Sequence, residues 1–227
     1  MKAKSEVYQR IKDFCAMVHT QFNIKIQTIR SDNGSEFVSN PMKTFFENHG
    51  IMDEPSCIET PQQNGRVERK HRHILNIARA LRFGAHLPIE FWGERVLTAI
   101  HLINRTPTKV LQGKTPYEML FQSSPSYDHL RVFGCLCYAH ASQRRKDKFG
   151  ERSKRCIFVG YPHGKKGWKV YDIESGEIFV SRDVIFHEDV YPFATNGTAN
   201  IDSERVGHEY GLPDPSLWAA QTNDDAP

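Results

Sequence analysis

Apolar residues recur mainly at three- and four-residue steps as far as Leu120. Past Ser123-Ser124-Pro125-Ser126 they gather instead in short runs rich in Val, Ile, Phe, Tyr and Cys. The first spacing suits a helix with one buried stripe, and the second suits short strands separated by turns. A chain that carries both, in that order, reads as a mixed α/β region over 1–122, a small β domain over 123–193 and a tail over 194–227. Its 227 residues are enough for one medium domain and one smaller one. With 39% hydrophobic and 25% charged residues, the composition excludes the disordered, collagen-like and disulfide-scaffold classes.

Within the first region, Val7, Ile11, Phe14, Cys15 and Val18 predict a helix over 5–20. Ile24, Ile26 and Thr28 alternate with polar residues as in a strand, and the run stops at the turn signal Ser31-Asp32-Asn33-Gly34, which sets Asp32 at a strand's carboxyl end. Pro41, Met42, Phe45 and Phe46 predict a short helix ending near Gly50, and residues 51–58 are a weaker strand candidate. After the breaker-rich Thr60-Pro61-Gln62-Gln63-Asn64-Gly65, the residues Val67, His71, Ile74, Leu75, Ala78 and Leu81 share one helical face, while Arg66, Arg69, Lys70 and His73 occupy the opposite one. Two further helices are expected, from Phe91 to Ile103 and from Thr115-Pro116 through Leu120.

In the second region the runs 130–139, 156–161, 168–173 and 178–186 are divided by turns such as Pro162-His163-Gly164 and Glu174-Ser175-Gly176. About five short strands in so little sequence predict a small barrel. The polar stretch from Thr195, with little apolar material, predicts a disordered acidic tail.

Charge is unevenly spread behind a net value of +3. Residues 66–82 carry six Lys or Arg against the single Glu68, residues 144–169 carry ten against Asp147 and Glu151, and residues 196–227 carry six acids against Arg205. Two basic segments suggest a polyanionic partner. No run approaches the ~18 apolar residues of a membrane span, and the charged amino end has no signal-peptide core, so no membrane association and an intracellular location are expected. Five scattered cysteines without any Cys-x-x-Cys support neither a disulfide framework nor a zinc ribbon. Cys135, Cys137, Cys156, His140 and His163 match no standard zinc spacing, and buried free thiols are the better reading.

Asp32 at a strand end and Glu68 in the first turn of a helix are the two carboxylates with a candidate chemical role. Carboxylates from such elements can converge on Mg2+ or Mn2+, hard ions that prefer oxygen. The plainer alternatives are a turn-forming aspartate and a Glu68 paired with Arg72 one helical turn on, worth about 0.2–0.5 kcal/mol. A two-metal phosphoryl-transfer site normally takes three carboxylates, and Glu36, Asp53, Glu54 and Glu59 lie on the wrong elements to be the third.

The segments Ser31-Asp32-Asn33-Gly34-Ser35-Glu36-Phe37 and Thr60-Pro61-Gln62-Gln63-Asn64-Gly65-Arg66-Val67-Glu68-Arg69-Lys70-His71 closely resemble the integrase region of copia-type long-terminal-repeat retrotransposon polyproteins. The likeness continues through Phe91-Trp92-Gly93-Glu94, Leu102-Ile103-Asn104-Arg105-Thr106-Pro107, Lys114-Thr115-Pro116-Tyr117-Glu118, Leu130-Arg131-Val132-Phe133-Gly134-Cys135, Cys156-Ile157-Phe158-Val159-Gly160-Tyr161 and Phe179-Val180-Ser181-Arg182-Asp183-Val184, covering roughly residues 4–190. It implies an RNase H-like core, incomplete in this chain, followed by an SH3-like barrel. It further implies a metal site of two aspartates and one glutamate, in which Asp32 matches the second aspartate and Glu68 the glutamate. The first aspartate would lie upstream of this sequence, so any Mg2+ or Mn2+ would be held weakly and catalysis would be incomplete. Gln62, Asn64 and Gly65 are then expected in the loop beside the metal site, and Lys70 and Arg72 against DNA phosphates. The implied activity is joining of a DNA 3′-hydroxyl to a target phosphodiester, with DNA and further copies of the chain as partners, no small-molecule cofactor, and a nuclear location for a working protein. A non-catalytic DNA-binding remnant, or a decayed element, is the alternative.

Overall fold

The computed structural model describes residues 4–32, 34–56, 65–140 and 153–194, which fall into two compact units, one through His73 and one from Ile74. The first contains α1 (Val7–Phe22), β1 (Thr28–Ser31), α2 (Asn40–His49), β2 (Met52–Pro55) and the start of α3 (Gly65–Ala85). The second contains the rest of α3, then α4 (Trp92–Ile103), α5 (Pro116–Phe121) and the strands β3 (Leu136–His140), β4 (Ser153–Gly160), β5 (Trp168–Asp172), β6 (Ile178–Ser181) and β7 (Val184–His187). The division therefore falls inside α3, whereas the change from helical to strand periodicity falls at 123–126. No described helix is long and apolar enough to cross a membrane. The predicted acidic tail lies outside the described residues.

In the first unit, α1 turns its Val7, Ile11 and Cys15 stripe toward Met42, Phe45 and Phe46 of α2 and Ile51. Phe14, which the spacing assigned to that stripe, is instead 54% exposed. Pro41 stands in the first turn of α2, where its missing N–H costs nothing, and Gly50 ends the helix at φ +63°, a left-handed conformation that glycine adopts freely. β1 and β2 run parallel, with Thr28 opposite Met52 and Ser31 opposite Pro55. Strand pairing starts where the alternating run ends: β2 offers partners only to Thr28 and the residues after it, and Ile24 is 60% exposed. A two-stranded parallel sheet flanked by helices is what the described residues show here. The remainder of an RNase H-like core is not among them.

The second unit is built on a five-stranded antiparallel sheet in the order β6-β5-β4-β3-β7. The expected barrel is not closed among the described residues, because β6 and β7 are the two edges of the sheet and do not pair. The run 178–186, which reads as one strand, is broken at Arg182-Asp183 into these two. Neighbouring strands lie about 4.8 Å apart, so four spacings would separate the edges of a flat sheet by about 19 Å. Two linking residues reach only about 11 Å. The sheet is therefore strongly curled, most of the way to a barrel.

Both faces of this sheet are covered. Ile157 and Val159 of β4 pack with Ala85, Leu87, Phe91 and Phe133, while Cys156 and Phe158 point the other way to Cys135, Cys137, Ala139 and Val170, as strand alternation requires. α4 lies directly on β4: a Cβ added to Gly160 would stand 2.6 Å from Thr98 Oγ1. Gly134, at φ +79°, is tighter still, with Ala85 Cβ 2.3 Å from where its own Cβ would be. Of the predicted run 130–139 only Leu136–Ala139 lies in β3, although Gly134 and Cys135 just ahead of it still exchange backbone hydrogen bonds with Phe158 of β4. Arg95, 3% exposed, donates to the carbonyls of Phe91 and Ile89 and fixes the turn that starts α4. Cys135, Cys137 and Cys156 are buried free thiols; burial pushes Cys156 up to about 11 and Cys135 up to about 12.

Candidate nucleic-acid interface

Asp32 follows β1 directly, as its turn sequence predicts, and its exposed carboxylate accepts a hydrogen bond from the Gly34 N–H at 3.2 Å. Glu36 comes back beside it: a Cβ on Gly34 would lie 3.0 Å from Asp32 Oδ1 and 3.0 Å from Glu36 Cδ, so the two acids flank one glycine. Sequence reasoning sets Glu36 aside, and the four-residue spacing across a turn is the sole signal that could have found it. Glu36 is held below the usual carboxylate range by a backbone hydrogen bond and by Lys4 and Ser35, with Lys4 Nζ 3.4 Å away. Behind the turn, Ser31 Oγ and Asp53 Oδ1 are buried without hydrogen-bond partners.

Glu68 lies in the first turn of α3, exposed, in the same compact unit as Asp32. No hydrogen bond or ion pair joins it to Arg72 or to Asp32 among the described residues. Asp32 and Glu68 offer hard oxygen donors, the chemistry Mg2+ or Mn2+ requires. Their number does not suffice: among the described residues no group of three His, Cys, Asp or Glu side chains is placed to hold a metal ion. The described residues therefore do not make up a magnesium centre by themselves.

The positive surface of α3 is more complete. Arg66, Arg69, Lys70 and Arg72 are all exposed, and none forms an ion pair among the described residues. Gly65, the first residue of α3, lies under Arg69, whose Nη1 would be 3.2 Å from a Cβ there. Gln62 and Asn64 lie outside the described residues. Of the predicted apolar face Ala78 is buried and Ile74, Leu75 and Leu81 are half-buried, whereas Val67 (57% exposed) and His71 are as exposed as the cations beside them, so burial follows the sequence pattern only from Ile74 onward.

The second basic segment behaves differently along its length. Residues 144–152 are outside the described part. Lys154 is paired with Asp172 at 2.6 Å and Lys169 with Glu94 at 3.2 Å, so these two cations are already neutralised within the unit. Lys165 and Lys166 are exposed without such partners. Phe158 is fully buried, and Tyr161 and Trp168 pack partly buried beside it, so these aromatics of the segment belong to the core.

Comparison with known proteins gives the chain its relations. A model of the retroviral polymerase SH3-like domain matches residues 135–199. The chain is 37% identical over 194 residues to the retrovirus-related Pol polyprotein from transposon RE1 of Arabidopsis thaliana, covering 86% of this chain and 13% of that protein. It is 34% identical over 216 residues to the Pol polyprotein from transposon TNT 1-94 of Nicotiana tabacum, covering 95% of this chain and 16% of that protein. Among solved structures, a chain of the simian T-cell lymphotropic virus intasome in complex with PP2A regulatory subunit B56 gamma aligns with a TM-score of 0.42 and 15% identity, over 85% of this chain and 66% of that one. The chain thus spans about one-seventh of the curated relatives it matches, and it is homologous to a segment of the retrovirus-related Pol polyproteins of copia-type transposons.

Proposed function

We propose that this chain is a DNA-holding segment of an integrase-type region of a Pol polyprotein. The observation that carries the reading is the stripe of Arg66, Arg69, Lys70 and Arg72, four exposed cations on one helix with no acidic partner among the described residues. Charges left unpaired on a rigid helix are free to displace the counterions of DNA phosphates, which gives affinity without base choice. The finer activity, joining a DNA 3′-hydroxyl to a target phosphodiester, is assigned to the longer polyprotein, to which this chain brings Asp32 and Glu68. For the chain by itself the reading is DNA binding without catalysis, since two carboxylates fall short of the set such a reaction uses.

The test is fluorescence anisotropy with a labelled blunt duplex at low salt. The double variant Lys70→Ala/Arg72→Ala is expected to weaken binding about tenfold, for duplexes of unrelated sequence alike. An unchanged affinity in that variant would contradict the reading.

A further inference from the structure

A cleft of about 470 Å³ opens in the second unit between the carboxyl half of α4, the end of β4, the turn before β5 and the β6–β7 link. Its wall is aromatic and rigidly held. The rings of His101 and Tyr161 stack 3.8 Å apart, Trp168 Nε1 donates to the His129 carbonyl at 2.9 Å, and His101 and His129 meet through their Nε2 atoms at 3.3 Å. The nitrogen-to-nitrogen contact requires one donor and one acceptor, so the accepting imidazole is neutral. Burial pushes His101 down to about 4 and lowers His129 in the same direction.

The positive charge of the cleft therefore comes from Lys165, Lys166 and Arg182, which line it and have no ion pair among the described residues. Two separate chain segments deliver these cations, and Gly167 brings them together. At φ +123° its missing Cβ would stand 2.6 Å from the Ser181 carbonyl oxygen, so only glycine lets the lysine-bearing turn lie against the residue next to Arg182. The cleft has the size of one small organic group and is too narrow for a duplex. An aromatic wall with cations at its rim is the arrangement that holds unstacked bases and their phosphates.

We propose that this cleft takes an unpaired nucleotide of a single-stranded DNA end, with its base against the Tyr161 and Trp168 wall and its phosphates on Lys165, Lys166 and Arg182. The proposal rests on the DNA-binding reading and adds a second surface with a different preference, since the α3 stripe suits duplex phosphates.

The experiment compares a labelled short oligothymidylate with a blunt duplex, using the full chain and the triple variant Lys165→Ala/Lys166→Ala/Arg182→Ala, whose side chains support no described ion pair. Oligothymidylate affinity should fall about tenfold or more and its log–log salt slope should flatten by about 2, as removal of three phosphate-binding cations from a single-strand site requires. Duplex affinity should stay within about twofold. Photocrosslinking with a 5-iodouracil oligomer should mark the peptide containing Tyr161 and Trp168. Unchanged oligothymidylate binding, an equal decrease on both nucleic acids, or crosslinks confined to α3 would overturn the proposal. Competition by polyglutamate as effective as by unlabelled oligothymidylate would overturn it too, in favour of an acidic peptide. Duplex binding without oligothymidylate binding removes this proposal alone, whereas binding of neither by the intact chain removes the DNA-binding reading with it.

Discussion

The Tyr161 ring lies flat against His101, their planes 13° from parallel, and so ties the end of β4 to the exit of α4. This stacking makes the second unit sensitive to acid. Burial holds His101 down to about 4 in the folded chain, below its usual 6.5. A depressed pKa means that the unfolded state takes up the proton first. The stability this group contributes is whole above about pH 6.5 and drains away as pH falls toward 4, by at most about 3 kcal/mol and less for a ring that is only partly buried. Urea unfolding at pH 7 and pH 4.5 should show the decrease, and His101→Phe, which keeps a ring on Tyr161, should shrink the difference. An equal pH dependence in that variant would remove His101 as its source.

Asp172 adds to the same acid sensitivity at lower pH. Burial pushes its carboxyl up, but hydrogen bonds from Lys154, Ser175 and the backbone of Glu174 outweigh it and hold the group down to about 2. Its contribution is present above the ordinary carboxylate pKa of about 4 and is lost as pH falls toward 2. Asp172→Asn should lower stability by about 2 kcal/mol, because a nearly buried charge-assisted cluster loses its centre. Thermal unfolding by circular dichroism is the check, and a melting temperature equal to that of the parent chain would show that the cluster is dispensable.

Gly134 and Gly113 form a matched pair of left-handed glycines with opposite surroundings. At Gly113, φ +84°, a Cβ meets nothing within 4 Å, whereas at Gly134 it runs into Ala85. Gly113→Ala should therefore cost only about 1 kcal/mol of backbone strain, and Gly134→Ala about 3 kcal/mol or more, with a lower yield of soluble protein. Chemical denaturation of the two variants side by side separates clash from conformation. Equal costs would mean that Gly134 is not a packing point between α3 and the sheet.

The first unit offers a charge test on its sheet. Arg30 and Glu54 face each other across the β1–β2 pair, with Arg30 Nε 3.1 Å from Glu54 Oε2. The arginine is largely exposed, so Arg30→Ala should cost no more than about 1 kcal/mol. Urea unfolding at low and at high salt checks this, and the parent's advantage should fade as salt rises. A much larger, salt-insensitive destabilisation would show that Arg30 acts through packing instead.

Local chemistry made several elements legible in the sequence. Pro41 and Gly50 bracket α2 because each has a backbone preference that acts without neighbours. Thr115-Pro116 likewise opens α5, where the structure adds the two hydrogen bonds of a capping box between Thr115 and Glu118. The strand-end position of Asp32 was readable for the same reason. What depended on pairing was not: β1 begins only where β2 can meet it, and the run 178–186 splits because its halves join opposite edges of the sheet. Buried free cysteines were foreseen from their spacing, yet the approach of Glu36 to Asp32 requires the turn at Gly34 to be seen in space. The cleft was illegible because residues 101, 129, 161–168 and 182 contribute to it from four segments, none of them unusual alone.

That the α3 stripe holds DNA through its phosphates is tested most directly by the salt dependence of duplex binding. Each phosphate-binding cation removed should flatten the slope of log affinity against log salt by about 0.9. Lys70→Ala/Arg72→Ala is expected to flatten it by about 2 while sequence tolerance is kept. A slope identical to that of the parent chain would contradict a DNA-holding role for the stripe.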